Sequence, residues 1–88
     1  RFSYDSRVAL AYAEVLANKG ELLAAYEVIR EAFQRRPDSK LLVSLIAAAR
    51  DVGRYQEAAD LLEALGQQTG SQVLLDEAAK MRRLLEQP

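Results

Sequence analysis

The chain echoes itself at a spacing of 33 residues, and that echo restricts its fold more than any other feature. Residues 19–26 read KGELLAAY and residues 52–59 read VGRYQEAA, so Gly20 corresponds to Gly53, Leu22 to Tyr55 and Ala25 to Ala58. The segment after each glycine has helical period. Leu22, Ala25, Tyr26, Ile29, Ala32 and Phe33 fall at i, i+3, i+4, i+7, i+10 and i+11, which is one stripe on a helix. Tyr55, Ala58, Ala59, Leu62 and Leu65 repeat the stripe, while Glu27, Arg30, Glu31, Glu57, Asp60 and Glu63 occupy the remaining positions. Two segments therefore share register and polarity, and self-similarity at this period with two helices per unit is the mark of a solenoid.

Punctuation divides the chain into five helical segments. The first is expected from about Asp5 to Asn18, with Ser3 or Asp5 as N-cap, and Lys19-Gly20 ends it. The second spans about Glu21 to Arg35, because Pro37 disfavours helix at Arg36. The third begins at Asp38 or Ser39, either of them a good cap, and runs to Val52, where Gly53 stops it. The fourth covers about Arg54 to Leu65. The stretch GQQTGS, residues 66–71, carries two glycines in the longest non-apolar interval and reads as a loop. The fifth runs from Ser71 or Gln72 to about Glu86, with Leu74, Ala78, Met81 and Leu85 as its stripe. Ala, Leu, Glu, Gln and Arg dominate and β-branched residues are sparse, so no strand is expected.

These residues resemble the tetratricopeptide repeat family. Its unit of about 34 residues has helix A, a turn glycine, helix B with small residues, and a closing proline. In the unit 6–39, Ala13, Gly20, Ala25, Ala32 and Pro37 match the pattern. In the unit 40–70, Gly53, Tyr55 and Ala58 match and Leu42 and Leu45 fill apolar helix A positions. Ile46 stands where a small residue is usual, Leu65 where alanine is usual, and no proline closes the unit. The resemblance covers residues 6–65. It implies an all-α solenoid of antiparallel hairpins, with five helices in about two and a half repeats and a single domain over 1–88. Segment 71–88 is then either helix A of a third repeat or a capping helix. Small side chains suit the helix crossings, where Ala13, Ala25 and Ala58 fall. Each hairpin alone leaves an apolar face wet, so further repeats in a longer parent chain, or self-association through exposed repeat ends, are expected.

Composition narrows the function classes. Eighty-eight residues allow one small domain, which buries only about 60% of the surface its unfolded form exposes. With no Cys and no His, disulfides, Cys/His zinc sites, a histidine base and a cysteine nucleophile are excluded. A carboxylate-only magnesium or calcium site is left open, although no D-x-D-x-D-G loop supports one. The serines lack a G-x-S-x-G context and the four glycines are dispersed, so neither an acyl-transfer elbow nor a phosphate loop is present. Carboxylates such as Glu57 and Asp60 read as solvated surface. No enzyme activity and no cofactor are expected. The net charge of −1 gives no field for nucleic acid, and no apolar run approaches the roughly 20 residues of a membrane span. No signal peptide is visible. The chain opens at Arg1 without Met and looks cut from a longer protein, so the compartment is unknown, bacterial periplasm and cytoplasm both being open.

What remains is binding of a protein or peptide. The resemblance implies that helix A of each unit lines a concave face. By matching position, Arg7, Leu10, Glu14 and Asn18 come from unit one and Lys40, Val43, Ala47, Arg50 and Asp51 from unit two. Any one of them could equally be ordinary surface; Leu10 and Val43 are the sharper cases, because an apolar residue facing a groove is costly unless covered. The family's carboxylate-clamp subtype is not expected, since Leu10, Glu14 and Ser44 occupy its clamp positions. Two basic clusters, Arg35-Arg36 with Lys40 and Lys80 with Arg82-Arg83, suggest RNA only weakly. Arg35 and Arg36 suit a helix C-terminus, and Lys80 lies four residues after Asp76. Tyr12, Tyr26 and Tyr55 read as core or rim and Tyr4 as a candidate exposed ring. The expected function is a bacterial interaction scaffold, of the kind found in envelope assemblies that secrete exopolysaccharide such as cellulose. The alternative is a structural spacer with no ligand of its own.

Overall fold

The computed structural model of the chain describes residues 5–86, so Ser3 and Tyr4 lie outside the described residues. Five α-helices follow one another: α1 Ser6–Asn18, α2 Leu22–Arg35, α3 Ser39–Val52, α4 Tyr55–Thr69 and α5 Gln72–Glu86. No strand occurs among the described residues. The chain divides into two compact units, Arg1–Gly53 and Arg54–Pro88. This boundary falls inside the 40–70 repeat unit.

In the first unit α2 packs on both α1 and α3, and α1 also touches α3. Local chemistry sets the ends of these helices. The Asp5 carboxylate caps α1 by accepting from the Arg7 backbone N–H at 2.8 Å. At the other end Gly20 has φ 83°, the Gly20 N–H reaches the Ala17 carbonyl, and the Glu21 N–H reaches the Leu16 carbonyl. That pair of bonds satisfies carbonyls that would otherwise be orphaned, and the left-handed turn suits glycine. Helix α2 stops at Arg35. Arg36, next to Pro37, turns extended at φ −151° and ψ 85°, as a pre-proline residue prefers. Asp38 then caps α3 through the Leu41 N–H at 2.8 Å. The core of this unit includes Ala13, Tyr26, Ile29, Phe33, Leu41 and Leu45, all buried. Leu22 departs from the expected stripe. It is the first residue of α2, and it is exposed.

The second unit is the hairpin α4–α5. Here the expected loop at residues 66–71 is corrected. Helix α4 runs on through Gly66, Gln67 and Gln68 to Thr69, and the chain turns only at Gly70, with φ 73°. Gly66 is not a breaker but a contact. A Cβ built on it would lie 2.8 Å from Leu75 Cγ and Cδ2 and 3.1 Å from the Leu75 backbone nitrogen. The glycine lets α5 come against α4, so it is buried within a helix whose flanking Gln residues favour helix. The Ser71 N–H closes the turn onto the Gly66 carbonyl at 3.0 Å, and the Ser71 hydroxyl accepts from the Leu74 N–H at 3.3 Å. Ala58, Ala59, Leu62, Leu74, Ala78 and Met81 are buried, whereas Leu85, placed on the same stripe by its spacing, is exposed at the end of α5.

Candidate functional site

A groove in the first unit runs between α1 and α3 with α2 as its floor, and encloses about 630 Å³. Its existence follows from side-chain size. Where α1 and α3 face one another they present Ala11, Ala17, Ala47 and Ala48, and alanine leaves space that leucine would fill. Leu22, Ala25 and Ile29 of α2 form the floor. Ser44 adds one hydroxyl to the wall.

Six of the nine residues expected on the concave face line this groove: Arg7, Leu10, Glu14, Lys40, Ala47 and Asp51. The structure does not bring Asn18, Val43 or Arg50 to it. Asn18 is the last residue of α1 and Arg50 lies in the last turn of α3; neither lines the groove wall. Val43 is 68% exposed on a different face of α3. The lining positions outside those nine are Ala11, Ala13, Ala17, Ser44 and Ala48 on the walls, and the α2 floor; the alanines carry no chemical signal of their own. The floor was legible only as part of an apolar stripe.

The charges at the rim differ in their engagement. The Arg7 guanidinium reaches back to Asp5, at 3.2 Å from NH2 to Oδ2. The hydrogen bond to that side chain, joined by the bond from the Arg7 backbone N–H, holds the Asp5 carboxyl below its ordinary value, and the same contact raises Arg7. Glu14, Lys40 and Asp51 form no ion pair among the described residues, so each presents its charge to whatever enters the groove. The site thus has an apolar floor, one hydroxyl and charges of both signs. Among the described residues no group of carboxylates could hold a metal ion. Such a surface can bind and orient a chain segment.

The chain matches no protein-family model, no curated protein and no solved structure.

Elsewhere, the structure changes how the basic clusters read. Arg82 bridges α5 to α4, with NH2 at 2.7 Å from Asp60 Oδ1 and 2.6 Å from Glu63 Oε1. The hydrogen bond to Asp60 leads the causes that raise its pKa. Asp60 is exposed and also holds Arg82, and Glu57 is half-buried. Lys80 pairs with Glu77 at 3.5 Å, not with Asp76, which instead accepts from Gln72 Nε2 at 2.8 Å. No helix among the described residues is long and apolar enough to cross a membrane.

Proposed function

We propose that this chain is a protein-interaction scaffold of the tetratricopeptide type, read as an α-solenoid, in which the α1–α3 groove holds a segment of a partner protein. The observation that carries the reading is the groove itself: a concave apolar floor beneath the charges of Glu14, Lys40 and Asp51, none of which is in an ion pair among the described residues. Apolar contact supplies affinity, and placed charges select the partner and its register. The alanine-, arginine- and leucine-rich, lysine-poor composition favours a bacterial setting, and the resemblance to bacterial repeat arrays implies assembly scaffolds, including envelope assemblies that secrete exopolysaccharide of the cellulose type.

The test uses substitutions that leave the fold alone. Ala47 and Lys40 are exposed, so Ala47→Arg fills the groove and Lys40→Glu reverses its charge without touching the core. Both are expected to weaken capture of a native partner by the full chain, at unchanged thermal stability. Val43→Asp and Arg50→Glu lie outside the groove and are expected to leave capture intact. If reversals at Lys40, Glu14 and Asp51 together leave every interaction of the chain unchanged, the groove is idle and the chain acts as a spacer.

A further inference from the structure

The outward face of α5 is complementary to itself. Val73, Glu77, Lys80 and Leu84 fall at i, i+4, i+7 and i+11, the spacing of one seam along a helix. Leu74, Ala78 and Met81 are buried where α5 packs on α4, while Val73 and Leu84 stand 63% and 49% exposed. The four seam positions are symmetric about the midpoint between Ala78 and Ala79, with Val73 and Leu84 as the outer pair and Glu77 and Lys80 as the inner pair. Charge divides at the same point. Asp76 and Glu77 precede it, and Lys80 and Arg83 follow it; Arg82 is turned to Asp60 and Glu63 of α4. Acid before base along a helix complements its dipole, but the dipole gives no reason for exposed aliphatic side chains at mirrored positions. By the repeat period the seam matches Lys40, Ser44, Ala47 and Asp51, which form a groove wall on α3, so this is not the face that repeat stacking would cover.

We infer that two copies of the chain associate through this face, α5 lying antiparallel to α5 about a two-fold axis that crosses between Ala78 and Ala79. The arrangement sets Val73 against Leu84 of the second copy and Glu77 against its Lys80, and each contact occurs twice because such an interface is isologous. Asp76, one residue before Glu77, comes beside Arg83 of the second copy on the flank of the seam. Within one copy Lys80 Nζ already lies 3.5 Å from Glu77 Oε2, so the axis joins two existing ion pairs into one cluster of alternating charge. A parallel arrangement would set Glu77 on Glu77 and Lys80 on Lys80, and repulsion opposes it. The charges thus fix the direction and the aliphatic pairs supply attraction. The seam covers about three turns, so the association belongs with weak, concentration-dependent dimers rather than obligate ones.

Sedimentation velocity of the full chain over a concentration series reads the association directly. The expected result is a reversible passage from monomer to dimer below the millimolar range. Lys80→Glu gives a chain with two acids in the seam, and Glu77→Lys a chain with two bases. Each alone should raise the dimer dissociation constant about tenfold, because symmetry makes every substitution act twice. Mixed in equal amounts, the two variants should recover the dimer. Direction is read by thiol pairing, since the chain has no cysteine of its own. A Val73→Cys chain mixed with a Leu84→Cys chain under mild oxidation should give chiefly the mixed disulfide. This readout changes no charge, so it stands even where Glu77→Lys, at a half-buried position, unfolds its chain. The inference is overturned if the chain stays monomeric up to the millimolar range, if the two folded charge variants fail to associate when mixed, or if the homodisulfides dominate. It is also overturned if Ala47→Arg dissolves the dimer and Lys80→Glu does not, since the groove would then hold the second copy.

Discussion

Replacing Gly66 with alanine sets two effects against each other, and the structure decides between them. In the middle of a helix, glycine to alanine is worth about 1 kcal/mol of added stability from propensity alone. At Gly66 the new methyl would sit 2.8 Å from Leu75 Cγ and Cδ2 and 3.1 Å from the Leu75 backbone nitrogen. Over-packing of this kind costs about 1–3 kcal/mol. A χ1 change of Leu75 would carry Cγ and Cδ2 away, but the nitrogen belongs to the backbone of α5 and yields only if the helix shifts. The net expectation is a loss of up to about 2 kcal/mol from these two ranges. At about 4–8 °C per kcal/mol for a domain of this size, that is a visible drop in Tm by circular dichroism. Amide exchange should place the loss in α4 and α5. In a Leu75→Ala background Cγ and Cδ2 are gone and only the 3.1 Å approach to the backbone nitrogen remains, so Gly66→Ala should cost less than in the parent, the difference being the coupling between the two sites. A Gly66→Ala protein that is more stable than the parent, or equal effects in the two backgrounds, would refute the close approach of α5 to α4.

The repeat stripe gives a further contrast: Leu45→Ala should cost about 2–5 kcal/mol in urea unfolding, because Leu45 is fully buried, whereas Val43→Ala, two residues away and exposed, should stay within about 0.5 kcal/mol. The depressed carboxyl of Asp5 gives the cap of α1 a pH signature. A carboxyl lowered on folding contributes stability that is complete above its unfolded value of about 3.9 and is lost as pH falls through the lower folded value. The Arg7 amide, which donates to Asp5, should therefore hold its NMR shift down to about pH 4 and move only below it, and a midpoint at or above about 3.9 would contradict the Asp5–Arg7 contact.

Much of this architecture is readable in the sequence alone. The turns at Gly20, Pro37 and Gly53 are legible because each acts through its own backbone: positive φ at the two glycines, and a proline that forbids helix at its neighbour. Gly66 misleads because a glycine that admits a neighbouring helix looks, in one dimension, like a glycine that ends its own. The clue lies in the repeat. Ala32-Phe33 of α2 becomes Leu65-Gly66 in α4, so the large and small positions change places within a segment that is helical in both. The groove is legible only in part. Of the nine residues that helix A spacing selects, Arg7, Leu10, Glu14, Lys40, Ala47 and Asp51 line the groove and Asn18, Val43 and Arg50 do not. How far a face extends depends on where α3 meets α1 and α2, and no local pattern encodes that. Ion pairs such as Arg82 with Asp60 and Glu63 are invisible for the same reason, being separated by about twenty residues.

The groove exists only if α1 approaches α3 as well as α2. Methyl-resolved NOE spectroscopy of the uniformly labelled chain measures this most directly. The expected result is a set of cross-peaks from α1 to both helices, including alanine methyls of α1 with those of α3 across the groove floor. Cross-peaks from α1 to α2 alone, with none reaching α3, would contradict it and leave the proposed binding surface without its second wall.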